Sequence, residues 1–120
     1  MKKNIFSIML ISVLLFSAFL LLPKSVYADP PQNVVLNYNL KTQTLTVTIT
    51  HKSFFPSVHY IKQIEIKKNN ELIGKNDYTS QTGKTTFAYT YNIPAAVNDV
   101  FEVTASCNVQ GRKTATLKVE

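Results

Sequence analysis

Two histidines and one cysteine, His51, His59 and Cys107, are the side chains of this 120-residue chain best suited to chemistry. Imidazole nitrogen and thiolate sulfur together form a donor set for transition metals. A cysteine beside a histidine can also act as nucleophile and base. The sequence supplies little for that second use: no Gly-x-Ser-x-Gly elbow, no evident oxyanion hole, and seven acidic residues that are dispersed along the chain. Cys107 is the sole cysteine, so no disulfide can form within the chain. Both methionines, Met1 and Met9, stand near the N-terminus and leave no thioether ligand in the body of the protein.

The elements that must position these residues are strands. Beyond Pro30 and Pro31 apolar side chains recur at every second position, the period of a strand with one buried face. Leu45, Val47 and Ile49 alternate with threonines; Phe87, Tyr89, Tyr91 and Ile93 form a second series, Phe101, Val103 and Ala105 a third, and Ala115, Leu117 and Val119 a fourth. NVVLNYNL, VHYIKQIEIKK and ELIGKNDYTS complete the set, and Ile61, out of phase with Ile64 and Ile66, marks a bulge. Turn residues such as Asn69-Asn70, Thr82-Gly83 and Gln110-Gly111 separate the runs. The spacing predicts an all-β, immunoglobulin-like antiparallel sandwich of about seven strands over residues 29–120. It has no Cys…Trp…Cys set and is not an antibody-type domain.

Successive strands of such a sandwich alternate in direction, so the loops after the second, fourth and sixth share one pole. His51 closes the second strand, His59 precedes the third, and Cys107 closes the sixth. His51 extends the inward series of Leu45, Val47 and Ile49, and Cys107 extends that of Phe101, Val103 and Ala105. All three are therefore expected together at one pole. Lys52, Lys84, Arg112 and Lys113 fall in or beside the same loops, where a cationic rim would attract small anions. Phe54 and Phe55, in SFFPS, are expected either to cover that pole of the core or to offer a contact surface.

Residues 1–28 differ from the rest. Lys2 and Lys3 precede an uncharged apolar run over residues 5–22, Pro23 breaks it, and small Val26 and Ala28 follow. This pattern is expected to be a secretory signal cleaved after Ala28, with an uncleaved membrane anchor as the alternative. Cleavage leaves an exported domain, residues 29–120, with no membrane segment. Three of the 13 basic residues, Lys2, Lys3 and Lys24, and none of the acidic ones lie in residues 1–28. The domain is thus mildly basic, and its scattered lysines do not form a nucleic-acid-binding patch. Without a disulfide, a domain this small must be held by packing or by a metal.

The segments THKSFFPSVHYIKQIEI and ASCNVQGRKTATLKV resemble the iron-binding domain of desulfoferrodoxins and superoxide reductases. His51, His59-Tyr60-Ile61, Ile64-Glu65-Ile66 and Cys107-Asn108 with Gly111 match that family's motifs in order, over residues 50–120. The resemblance implies the same sandwich and a mononuclear non-haem iron, with His51 and His59 as equatorial ligands and Cys107 as the axial one. It implies reduction of superoxide to hydrogen peroxide by one electron from ferrous iron, resupplied by an electron donor. The axial thiolate would push electron density onto the metal. This chain has Gln110 where the family's turn carries a histidine, Lys52 where a proline follows the first histidine, and no histidine before His51. Gln110 is accordingly a further candidate ligand. Two other functions stay open: a non-catalytic exported binding module with a degenerate metal site, and copper electron transfer through two histidines, a cysteine and a glutamine.

Overall fold

Branching at Cβ crowds a helical turn and fits a pleated sheet, so runs such as TLTVTIT become strands. The structure, a computed structural model, describes residues 29–120; the expected signal sequence, residues 1–28, lies outside them. Seven strands form: β1 (Asn33–Asn39), β2 (Thr44–Thr50), β3 (Ile61–Lys68), β4 (Glu71–Asp77), β5 (Thr86–Asn92), β6 (Val100–Cys107) and β7 (Arg112–Lys118). Among the described residues there is no helix. All pairings are antiparallel, in a three-stranded sheet of order β1-β2-β5 and a four-stranded sheet of order β4-β3-β6-β7. The all-β sandwich expected from the alternation is the fold observed.

The core lies between the sheets and follows the predicted phases. Leu45, Val47 and Ile49 of β2, Ile61 and Ile64 of β3, and Phe101, Val103 and Ala105 of β6 have no exposed area. Burying each of the larger side chains contributes about 1.5–3 kcal/mol. The bulge sits where Ile61 slips phase: Ile61 pairs with Cys107 and Gln63 with Ser106, so Lys62 is the extra residue. That insertion returns Ile61 to the buried face directly opposite Cys107.

Two local differences from the sequence pattern matter. The third strand starts at Ile61 rather than Val58, because Val58 and His59 turn back to bond the carbonyl of Phe55. Phe54 and Phe55 do not cover the core: they are 73% and 71% exposed at the tip of the same loop.

Candidate metal centre

Each donor reaches the pole by its own local route. His51 is the next inward position after Ile49, and its amide bonds the carbonyl of Thr85, so β2 stays paired one residue past its end. Its side chain is fully buried. Cys107, 5% exposed, ends β6 and is held by its amide bond to the carbonyl of Gly111, 3.0 Å, which closes the turn into β7. His59 is half-buried and is fixed through its main chain, whose carbonyl accepts from Ser53 Oγ and whose amide bonds Phe55.

The three side chains converge as the strand phases predict. One donor atom from each of His51, His59 and Cys107 lies within 4.8 Å of the others. His59 Nε2 is 3.1 Å from Cys107 Sγ. This is hydrogen-bond distance, and it also lies within the span of about 4.3 Å that metal–sulfur and metal–nitrogen bonds of about 2.3 and 2.0 Å allow two donors of one ion. The His51 and His59 rings meet edge to face with centroids 4.5 Å apart. Burial pushes the His59 pKa down, and the neighbouring His51 adds to the effect against an opposing pull from Asp29. The neutral imidazole, the form that binds metal, is thereby favoured.

Gln81 sets the tautomer of His51. Its Nε2 donates to the carbonyls of His51, 2.9 Å, and Gly83, 2.7 Å, which leaves Oε1 as the acceptor for the Ile61 amide and for His51 Nδ1 at 2.7 Å. The proton of neutral His51 therefore belongs on Nδ1, and Nε2 carries a lone pair. A metal-binding histidine is normally oriented in this way, by a hydrogen bond from its other nitrogen. The partner of that Nε2 is another acceptor, the carbonyl oxygen of Asp29, 2.9 Å away. Two lone pairs directed at one another mark a place for a cation, either a proton or a metal.

Asn108 joins the two loops that carry His59 and Cys107. Its Oδ1 accepts from the Tyr60 amide, 2.9 Å, and its Nδ2 donates to the Val58 carbonyl, 2.9 Å. The Val109 amide lies 3.4 Å from Cys107 Sγ, a contact that stabilises thiolate charge. Gly111 has φ +80°, and a Cβ there would come within 2.5 Å of Pro30. The glycine of CNVQG is thus required both by its backbone and by the chain that crosses over it.

No family model matches the sequence, and no curated protein is significantly similar to it. Among solved structures, two of superoxide reductase (neelaredoxin) from Ignicoccus hospitalis are similar in fold. One has a TM-score of 0.48 at 16% identity, covering 78% of this chain and 80% of its own. The other has a TM-score of 0.45 at 14% identity, covering 81% and 87%.

The remaining expected residues fall around this centre. Gln110 lies exposed in the turn, three residues beyond Cys107. Lys52, Lys84, Arg112 and Lys113 are all exposed. Lys52 rests its ammonium 5.2 Å over the Phe54 ring. Arg112 lines an open cleft beside Cys107 together with Lys62, a cation that the sequence pattern did not single out. Gln81, Asn108 and Asp29 were also missed. Nothing in TSQTGK distinguishes a buried glutamine from a solvated one; Asn108 could have been weighed as a turn-bonding residue beside the cysteine.

Proposed function

We propose that this domain is an exported metal-binding protein of the superoxide-reductase type, holding one iron through His51, His59 and Cys107. The observation that carries the proposal is the convergence of these three donors within 4.8 Å, with His51 oriented by Gln81. Two imidazoles and a thiolate suit zinc, iron and copper alike; the resemblance of the HYI…IEI and CN…G motifs to desulfoferrodoxins supports iron. Bound there, ferrous iron would supply one electron to superoxide, giving hydrogen peroxide with two protons from solvent, and an external electron donor would return the ferric ion to the ferrous state. The protein's part is to orient His51 through Gln81, to favour neutral His59 by burial, to hold the Cys107 sulfur against the Val109 amide, and to present Lys62 and Arg112 to an approaching anion. The charged head and apolar run of residues 1–28 support export.

Elemental analysis of anaerobically purified protein tests the proposal. One iron per chain is expected, lost in Cys107→Ser. The absence of stoichiometric metal from the native protein, or full metal content in Cys107→Ser, overturns it. Consumption of superoxide without release of dioxygen distinguishes a reductase from a domain that only stores the ion.

A second reading rests on a separate observation. Phe54, Phe55 and Val58, 73%, 71% and 68% exposed, stand on one loop, and Val109, 56% exposed, on the turn that Asn108 ties to it. This apolar tip suits a binding module that engages a protein partner beside the centre. Partner binding that survives both chelation and Cys107→Ser would favour this reading over a redox role.

A further inference from the structure

The segment before β1 is built into the pole rather than trailing from it. The Gln32 amide bonds the Thr50 carbonyl at 2.8 Å, Pro31 is buried, Pro30 packs on Gly111, and the Asp29 carbonyl faces His51 Nε2 at 2.9 Å. Asp29 is also the residue that a cut after Ala28 would make the N-terminus. From these placements we infer that the processed N-terminus is itself a ligand: the α-amine and carbonyl oxygen of Asp29 chelate the metal held by His51, His59 and Cys107. The inference rests on the metal-centre reading above and on cleavage after Ala28.

Covalent geometry and the following prolines give the chelate its shape. A residue before proline is confined to extended backbone, which turns its nitrogen and carbonyl oxygen to the same side. Standard bond lengths then separate these two atoms by about 2.7–2.9 Å, a span that closes a five-membered ring on a single cation. Pro30 has no amide hydrogen, so its nitrogen cannot be deprotonated to serve as a ligand, and the amine and carbonyl are the main-chain donors left. Before processing, the amine of Asp29 is tied up in a peptide bond and cannot donate. The carbonyl alone then faces His51 Nε2, 2.9 Å away. Processing converts this single oxygen into a two-donor ligand.

Among the described residues, the strands and the buried core lie within residues 33–119, so a chain beginning at Asp29 carries the whole sandwich. The test compares Co(II) binding by that chain with binding by the same chain bearing one glycine before Asp29. Thermal unfolding of the two metal-free forms verifies equal folding. Loss of even an outer-shell partner costs a metal site about 10- to 100-fold in affinity, and the glycine-extended form is expected to bind at least about tenfold more weakly. Its Co(II) absorption spectrum should also shift, while His51→Ala abolishes binding in both forms. Equal affinities with identical spectra overturn the inference and leave the three-residue centre standing. No Co(II) binding in either form overturns that centre, and the inference with it. Mass spectrometry of the exported protein must give a chain starting at Asp29; any other start overturns the premise.

Discussion

The two poles of the sandwich use polar side chains in opposite ways. At the pole of the β1–β2, β3–β4 and β5–β6 connections, they close turns. Asn39 Oδ1 accepts from the amides of Lys41 and Thr42, Asn69 and Asp99 bond each other and nearby amides, and Gln43, Asn69, Asn70 and Asn98 take positive φ. The hydrogen bonds of Asn39, Asn69 and Asp99 each stay within one loop or join it to the adjoining one. At the other pole the side chains of His51, His59 and Cys107 face each other instead, and Gln81, Asn108 and Ser53 hold them there. A turn can be closed by any asparagine at a suitable backbone angle. Convergent donors need a shell of residues that bond the backbone on their behalf, and this shell is what distinguishes a site from a loop.

Gln81→Leu should break the contrast most severely. It strips partners from His51 Nδ1, the Ile61 amide and two carbonyls, and is expected to cost about 2–4 kcal/mol in urea unfolding together with a fall in metal affinity. Retained stability would show that water replaces the amide and that Gln81 does not set the tautomer.

Gly111→Ala ranks next. A side chain at φ +80° is strained, and its Cβ meets Pro30, so a loss of about 1–3 kcal/mol is expected, together with increased proteolytic sensitivity ahead of β1. Unaltered protection of that segment would disprove its docking on the turn.

Asp99 tests the opposite pole. The Ala96 amide, and then the Asn69 side chain, hold its carboxyl below the usual range. A pKa lowered by folding stabilises the protein above the unfolded value, near pH 4, and that stabilisation is lost as pH falls through the folded value. Asp99→Ala should therefore flatten the acid limb of the stability–pH curve and leave metal affinity untouched. A change in metal affinity would mean that the poles are coupled.

The smallest effect is expected at the exposed tip. Phe54→Ser with Phe55→Ser should alter stability by no more than about 0.5 kcal/mol, because little of either ring is buried. A larger loss would assign the rings to the core after all.

Much of the donor pole was legible in the sequence. Alternation runs to the last residue of β6 and one step past β2, so the inward positions of Cys107 and His51 follow from period two alone, and the slipped phase of Ile61 announced the bulge opposite Cys107. The orientation of His51 was not legible. It depends on Gln81, thirty positions away, and on Asp29, twenty-two positions away. Nor did the paired phenylalanines reveal their exposure, since an apolar loop residue looks the same whether it covers a core or leaves it.

The sequence by itself determined the strands, their buried faces and the pole at which the two histidines and the cysteine gather, because side-chain alternation is a local property of extended chain. Only the tertiary structure decided which loop residue orients His51, that Asn108 ties the cysteine turn to the His59 loop, and that the chain before β1 crosses the centre. Those outcomes turn on hydrogen bonds between segments that meet only once the sheets have packed, and no local period encodes them.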